Sequence, residues 1–348
     1  MPTQDAAARL RALSRWPIVV APMAGGPSTT AMVVAAAEAG ACGFLAGGYK
    51  SAATLEAEMS AVRAATDRPF GVNLFVPGLS TTTPEALAVY VRQLEADAAV
   101  AGVTLGDPSW DDDAYPAKLA SVLAEPPALV TFTFGCPEAD AVERLQAAGA
   151  LVGVTVTTPE EAAVALALRV DFLCLQGCEA GGHRGHFDNL DRPDQDRPLS
   201  ALMATLRRRT RVPLVAAGGI SNASDVVWAL RAGAAMVQCG TAFLRCPESG
   251  AHAIAKAALV HPLFATGAVT RAFSGRRARA LTNRFMLEHP DAPAAYPEIN
   301  NATRPLRAAA ASGGDPHGMS LYAGTGAAQA RPHSVAEVIA DLVSGLPR

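Results

Sequence analysis

The stretch "VPLVAAGGISNASDVVWALRAGAAMVQCGT", residues 212 to 241, decides how the rest of the chain is read. An apolar run ends in Gly218 and Gly219, Asn222 opens a helix-like segment as a cap, Gly233 closes it, and a second apolar run ends in Cys239, Gly240 and Thr241. Continuously apolar strands are buried on both faces, which is the habit of parallel strands joined by crossover helices and not of half-solvated antiparallel ones. The stretch therefore reads as one strand–helix–strand unit.

Working outward, the same unit recurs. Strand-like runs lie at 17 to 23, 42 to 47, 70 to 76, 128 to 135, 151 to 157 and 171 to 177, in addition to 212 to 219 and 234 to 241. Between them come "STTAMVVAAAEAG", "TPEALAVYVRQLEADAAVAG", "CPEADAVERLQAAG" and "TPEEAAVALALRV", several opening on Ser or Thr and three of them ending on Gly. Eight such units are what an α/β fold of the TIM (β/α)8 barrel type requires, with an open doubly wound sheet as the alternative. The expected division is a barrel over 1–247, a smaller substrate-covering subdomain over 248–322, where prolines and arginines replace the repeat, and a C-terminal segment over 323–348 returning to the barrel. "GDPSWDDDAYPAKL" (106 to 119) reads as a solvated loop before the fourth strand.

Composition narrows the function. The 348 residues are 50% hydrophobic and 18% charged with a net charge of −3, and no long basic run occurs, so a nucleic-acid partner is not expected. No apolar run is long enough to suggest a membrane span, and the N-terminus reads as an amphipathic helix, not a secretion signal. The six cysteines form no C-x-x-C pair, which suits a reducing cytoplasm and suggests neither zinc nor disulfides. The expected partner is a small molecule, and nothing in the sequence reports the oligomeric state.

In a barrel of this type the chemistry sits at the C-terminal ends of the strands, with phosphate commonly held after the last two. Here those ends carry Gly218 and Gly219, then Gly240 and Thr241, where backbone amides can approach an anion. Asn73, Gln176 and Gln238 interrupt or end apolar runs, and a buried amide needs partners that a ring rich in carbonyl and N–H groups would supply. A flavin mononucleotide (FMN) has both the ring and the single phosphate. His183, in "QGCEAGGHRGHF" (176 to 187), falls just beyond the sixth run on the same face and is the candidate base. A metal held by His183, His186 and Asp188 is the competing reading, weakened by the flexible glycines 181, 182 and 185. His186 reads as structural, and no metal is expected.

These motifs resemble the nitronate monooxygenases, formerly 2-nitropropane dioxygenases, of the bacterial-type class. The resemblance runs in order through "APMAGG", "GVNLF", "FTFGCP", "QGCEAGGHRGHF", "AAGGIS", "QCGTAF", "YPEINNATRPLR" and "YAGTG". It implies an FMN-bearing barrel in which His183 faces the flavin and main chain around Met23, Asn73, Gln176, Gly181, Gly219 and the run Gln238, Cys239, Gly240, Thr241 binds it. It implies oxidation of alkyl nitronates by O2 to a carbonyl compound and nitrite, a detoxifying monooxygenase activity. The chain departs from the family's common pattern at Tyr322 and Thr325, where Trp and Gln are usual, and at Thr133, where some members carry His. Two alternatives share the barrel: an FMN-dependent NAD(P)H reductase of the enoyl-ACP or quinone type, and a non-catalytic FMN-binding protein.

Overall fold

The computed structural model describes residues 2–190 and 196–347. Eight parallel strands close on themselves: β1 (Ile18–Val20), β2 (Cys42–Ala46), β3 (Gly71–Phe75), β4 (Leu129–Thr133), β5 (Leu151–Val156), β6 (Phe172–Gln176), β8 (Leu214–Ala217) and β9 (Met236–Cys239). The closing pair sets Ile18 opposite Val237 and Val20 opposite Cys239, which excludes the open sheet. These strands fall within the eight apolar runs of the sequence. Three further strands, β7 (Gly182–His183), β10 (Gly267–Thr270) and β11 (Ala278–Leu281), make a separate antiparallel sheet in the order β10-β11-β7. The glycine-rich turn after β6 thus leaves the barrel and becomes the edge of a second sheet.

The crossover helices begin where the caps lie. Thr29, Thr83, Thr158 and Asn222 each accept a hydrogen bond from the amide three residues on, an arrangement worth about 1 kcal/mol relative to alanine.

Strand parity then sorts the side chains. Ile18, Val20, Val72, Leu74, Val130, Phe132, Leu173 and Leu175 face the helices in one large cluster. Their alternates Val19, Phe44, Leu129, Leu151, Phe172, Val215 and Met236 fill the barrel, joined by Leu10 of the N-terminal helix Pro2–Ala12. Gly71 and Gly153 are glycines because a Cβ there would lie 2.3 Å from the rings of Phe44 and Phe172. The same parity carries Asn73, Thr131, Thr133, Thr155, Gln176 and Gln238 to the inner face near the strands' C-terminal ends.

A second apolar cluster lies outside the barrel. It joins Tyr90, Leu94 and Ala98 of helix Pro84–Ala101 to Phe273, Phe285, Ile299, Ala302 and Leu306, the last three on helix Glu298–Ser312. The C-terminal helix Val335–Val343 packs against helices Thr30–Glu38 and Ala223–Arg231 of the barrel's outer ring. The expectation of a solvated loop over 106–119 holds only for its first half. Helix Tyr115–Ala124 begins inside it, and Lys118 is 1% exposed and ion-paired to Asp113 at 2.7 Å. Among the described residues no helix is long and apolar enough to cross a membrane.

Candidate active site

A cavity of ≈360 Å³ opens at the C-terminal ends of the barrel strands. Met23, Asn73, Gln176, Gly181, His183, Gly218, Gly219, Gln238, Cys239, Gly240 and Thr241 all line it, so every candidate site residue of the sequence comes to one place.

The three amides behave differently. Asn73 Oδ1 accepts from the hydroxyls of Thr131 and Thr133, both at 2.9 Å, leaving its Nδ2 donors for the cavity. Gln176 is engaged by its own loop: Nε2 donates to the His183 carbonyl at 3.0 Å, while Oε1 accepts from Arg184 Nη1 at 3.0 Å and the Gly185 amide at 2.8 Å, which leaves one Nε2 hydrogen. It holds the turn that carries His183. Gln238 lies beside the buried Cys174 thiol, which burial holds well above its ordinary pKa.

The glycines differ too. Gly218 and Gly219 have φ of 118° and 73°, a backbone that glycine alone adopts readily. Gly181 is a glycine because a Cβ would lie 2.4 Å from the Ala323 carbonyl carbon and the Gly324 nitrogen. At Gly240 neither reason applies: φ is −109°, and a Cβ would make only ordinary contacts with Met23 and Ala21 at 3.4 and 3.5 Å. The space in front of Gly240 belongs to the cavity, where a bound group could approach the main chain. Thr241 Oγ1 accepts from the Gly324 amide at 2.9 Å and so ties the returning C-terminal segment to the same loop.

His183 sits on β7 opposite Ala278 of β11. Its Nε2 is 2.8 Å from Ser274 Oγ, and that hydroxyl also lies 3.2 Å from the Arg276 carbonyl. When Ser274 donates to Nε2, the ring's proton sits on Nδ1. When Ser274 donates to the carbonyl and accepts from Nε2, Nδ1 is a bare acceptor. Burial, and then the charges of Arg276 and Arg307, push the His183 pKa down to about 3, so the ring is neutral.

Aromatic rings surround it: Tyr322, Tyr296, Phe134 and Tyr49 have centroids 5.1, 5.7, 6.1 and 6.5 Å from the imidazole. Burial raises the pKa of all three tyrosines, which keep their hydroxyl protons, and Tyr296 donates to Tyr49 at 3.2 Å. Arg307 lines the cavity with Nη2 donating to Asn300 O and Oδ1 at 2.8 and 2.9 Å. Arg276 stacks 3.9 Å above the Phe134 ring and donates to the carbonyls of Arg184 and His186. A neutral imidazole that feels the positive charge of two guanidinium groups sits in a field that favours an anion.

His186 points elsewhere. Its Nδ1 lies 2.5 Å from Thr157 Oγ1, which donates to Glu161 Oε2 at 2.7 Å, behind the barrel loops. Among the described residues no group of three or more His, Cys, Asp or Glu side chains could hold a metal ion.

Tyr49, Phe134, Ser274, Arg276, Tyr296 and Arg307 are not singled out by the sequence as site residues, although Phe134 falls in "FTFGCP" and Tyr296 and Arg307 in "YPEINNATRPLR". Tyr49 and Phe134 stand at the ends of marked runs and were within reach of the strand-end argument. The other four come from the stretch that lacks a repeat.

The sequence matches the family model described as nitronate monooxygenase over residues 8–345. It is 41% identical over 338 residues to a nitronate monooxygenase of Pseudomonas aeruginosa, covering 95% of this chain and 96% of that one. To a nitronate monooxygenase of Paraburkholderia phytofirmans it is 37% identical over 334 residues, covering 94% and 91%. The crystal structure of nitroalkane oxidase from Streptomyces ansochromogenes superposes with a TM-score of 0.93 at 46% identity over 97% of each chain. FabK from Thermotoga maritima shares the fold, with a TM-score of 0.73 at 22% identity over 98% of this chain and 95% of that one. A match over nearly the whole length, to relatives sharing two residues in five, shows that this chain belongs to the nitronate monooxygenase family, whose members are in general flavin-dependent oxidoreductases.

Proposed function

We propose that this protein oxidises alkyl nitronates with O2 to a carbonyl compound and nitrite, and that FMN bound at the strand-end cavity is its cofactor. The observation that carries the reading is His183 on the wall of that cavity with Arg307, kept neutral by burial and by the charges of Arg276 and Arg307. FMN suits the residues present: Gly240 leaves unclaimed room in front of its main chain, Asn73 keeps its donors, and the first strand is not followed by the glycine fingerprint of a dinucleotide. When bound, the flavin supplies the electron and oxygen chemistry.

The chain's own residues do the rest. The guanidinium groups of Arg276 and Arg307 offset the negative charge of the nitronate, and burial among Tyr49, Phe134, Tyr296 and Tyr322 keeps water from the reacting end. With Ser274 donating to Nε2, His183 offers Nδ1–H to a nitronate oxygen without becoming charged. The opposite orientation would make Nδ1 the acceptor for a proton from a neutral nitroalkane, a task for which a base with a pKa near 3 is poorly matched. The preformed anion is therefore the better substrate. All six cysteines are free, which suits a reducing, cytoplasmic setting.

The test is twofold. Cofactor released by heating should run as FMN in chromatography, and aerobic mixing with ethyl nitronate should release nitrite. Rapid anaerobic bleaching of the yellow colour by NADH, with no nitrite from any nitronate, would replace this reading with a reductase.

A further inference from the structure

A second cavity, of ≈340 Å³, lies on the far side of the aromatic residues around His183. Tyr49, Phe75, Phe134 and Asn300 line both cavities, so the two spaces share one wall. We propose that this second cavity receives the organic tail of the substrate, and that the nitro end reaches His183 across the wall formed by Tyr49, Phe134 and Tyr296. The inference rests on the nitronate reading and adds where the substrate enters and what limits its size.

His183 faces the first cavity, and the residues common to both cavities make the second one the adjoining space on the other side of its aromatic neighbours. The mouth of the second cavity is apolar where a tail would pass. Leu79 on its rim is 89% exposed and Trp110 is 47% exposed, with Trp110 Nε1 donating to the Gly78 carbonyl at 3.0 Å. Exposed large apolar side chains grouped at a concave mouth mark a binding surface for apolar groups.

The acidic run at that mouth is less repellent than its sequence suggests. Asp111 Oδ2 accepts from Asn301 at 2.6 Å, Asp112 Oδ1 from the Ala114 amide at 2.9 Å, and Asp113 is paired with Lys118. Deeper in, the Arg276 guanidinium also lines the cavity.

The wall itself is held in unusual backbone. Tyr49 and Phe134 have φ of 65° and 78°, left-handed conformations that cost residues other than glycine and gather at functional sites. Their rings are joined through Phe75, with centroid separations of 5.6 and 4.5 Å.

The test uses the flavin-loaded protein and straight-chain carboxylates from acetate to hexanoate, unreactive stand-ins for nitronates, with affinities read from the flavin absorbance. Gly78→Phe places a ring at the mouth, where a Cβ meets nothing within 4 Å and φ is not left-handed. In the parent, affinity should rise with chain length, by up to about fourfold per methylene buried. Gly78→Phe should flatten that rise beyond the shortest acids, and kcat/KM for hexyl nitronate should fall about tenfold while ethyl nitronate changes little. Leu79→Glu, at a side chain already in solvent, should weaken all the acids, less so at high salt. A parent-like dependence on chain length in Gly78→Phe, or parent-like affinities in Leu79→Glu, overturns the proposal. Absence of nitrite from every nitronate overturns the nitronate reading instead, while the carboxylate series still reports on the cavity.

Discussion

His183 Nε2 and Ser274 Oγ, 91 residues apart in sequence, meet at 2.8 Å because β7 and β11 pair with His183 opposite Ala278. That contact orients the imidazole, and its hydroxyl proton decides whether Nδ1 donates or accepts. Ser274→Ala should lower kcat/KM for a nitronate roughly tenfold, the scale of one lost hydrogen bond, with flavin content unchanged. Ser274→Thr keeps the hydroxyl and should restore most of the rate. His183→Asn should stay yellow and lose more than Ser274→Ala, chiefly in KM if the ring binds the anion. Equal rates for Ser274→Ala and Ser274→Thr would show that the hydroxyl has no part in orienting His183.

The glycines of the site separate a binding role from a packing role. Gly240→Val points a branched side chain into the cavity from a backbone that tolerates it, so flavin occupancy should fall while the thermal midpoint of the flavin-free protein stays near the parent's. Gly181→Ala drives a Cβ to 2.4 Å from the Ala323 carbonyl carbon and should destabilise the flavin-free protein itself, by about 1 to 3 kcal/mol. Flavin content after purification and melting after flavin removal are the two readouts. A Gly240→Val protein that holds flavin as firmly as the parent would move the cofactor away from this loop.

The barrel was legible because its strands are buried on both faces, which leaves continuous apolar runs that local pattern alone reveals. The same logic reached Asn73, Gln238 and Gly240, since a polar or small residue at a strand end stands out against that background. It did not reach Tyr49 or Phe134, because an aromatic residue at the end of an apolar run reads as core. Ser274, Arg276, Tyr296 and Arg307 were beyond it for a different reason. Ser274 and Arg276 are brought to His183 by an antiparallel register between a two-residue strand and a segment far along the chain, Tyr296 and Arg307 by helix Glu298–Ser312 and the turn before it, and no local periodicity encodes either placement. Gln176, marked as a cofactor amide, lines the cavity and also ties the turn at residues 183 to 185, a second task that no strand-end pattern announces.

His183 also predicts how stability responds to acid. Its pKa is about 3 when folded, against 6.5 ordinarily, so below pH 6.5 the unfolded chain takes up a proton that the folded chain refuses. The contribution is complete above pH 6.5 and is lost as pH falls toward 3. Between pH 7 and pH 5 the parent should therefore lose up to about 2 kcal/mol more stability than His183→Asn. Urea midpoints of both flavin-free proteins at the two pH values measure the difference. Parallel losses would mean that the folded ring takes up its proton near the ordinary pH.

Lys118 is a buried cation in a stretch whose sequence reads as solvated. Its Nζ is 2.7 Å from Asp113 Oδ2, and Asp113 Oδ1 accepts from the Tyr49 amide at 2.8 Å, so the ion pair anchors the left-handed turn that sets Tyr49 in the shared wall. Burial raises the Asp113 pKa, and the Lys118 ammonium 2.7 Å away opposes it. Lys118→Met leaves that carboxylate without its counter-charge, which should cost about 3 to 5 kcal/mol. Adding Asp113→Asn removes the stranded charge and should recover much of the loss, though the weaker amide acceptor holds Tyr49 less firmly. Nitronate KM should then stay raised in the double variant even as its urea midpoint returns toward the parent's. If stability and KM recover together, the pair serves only the fold. If the single variant is as stable as the parent, the Lys118–Asp113 bond contributes nothing that methionine packing cannot replace, and the positioning of Tyr49 must be credited to its contacts with Phe75 and Tyr296.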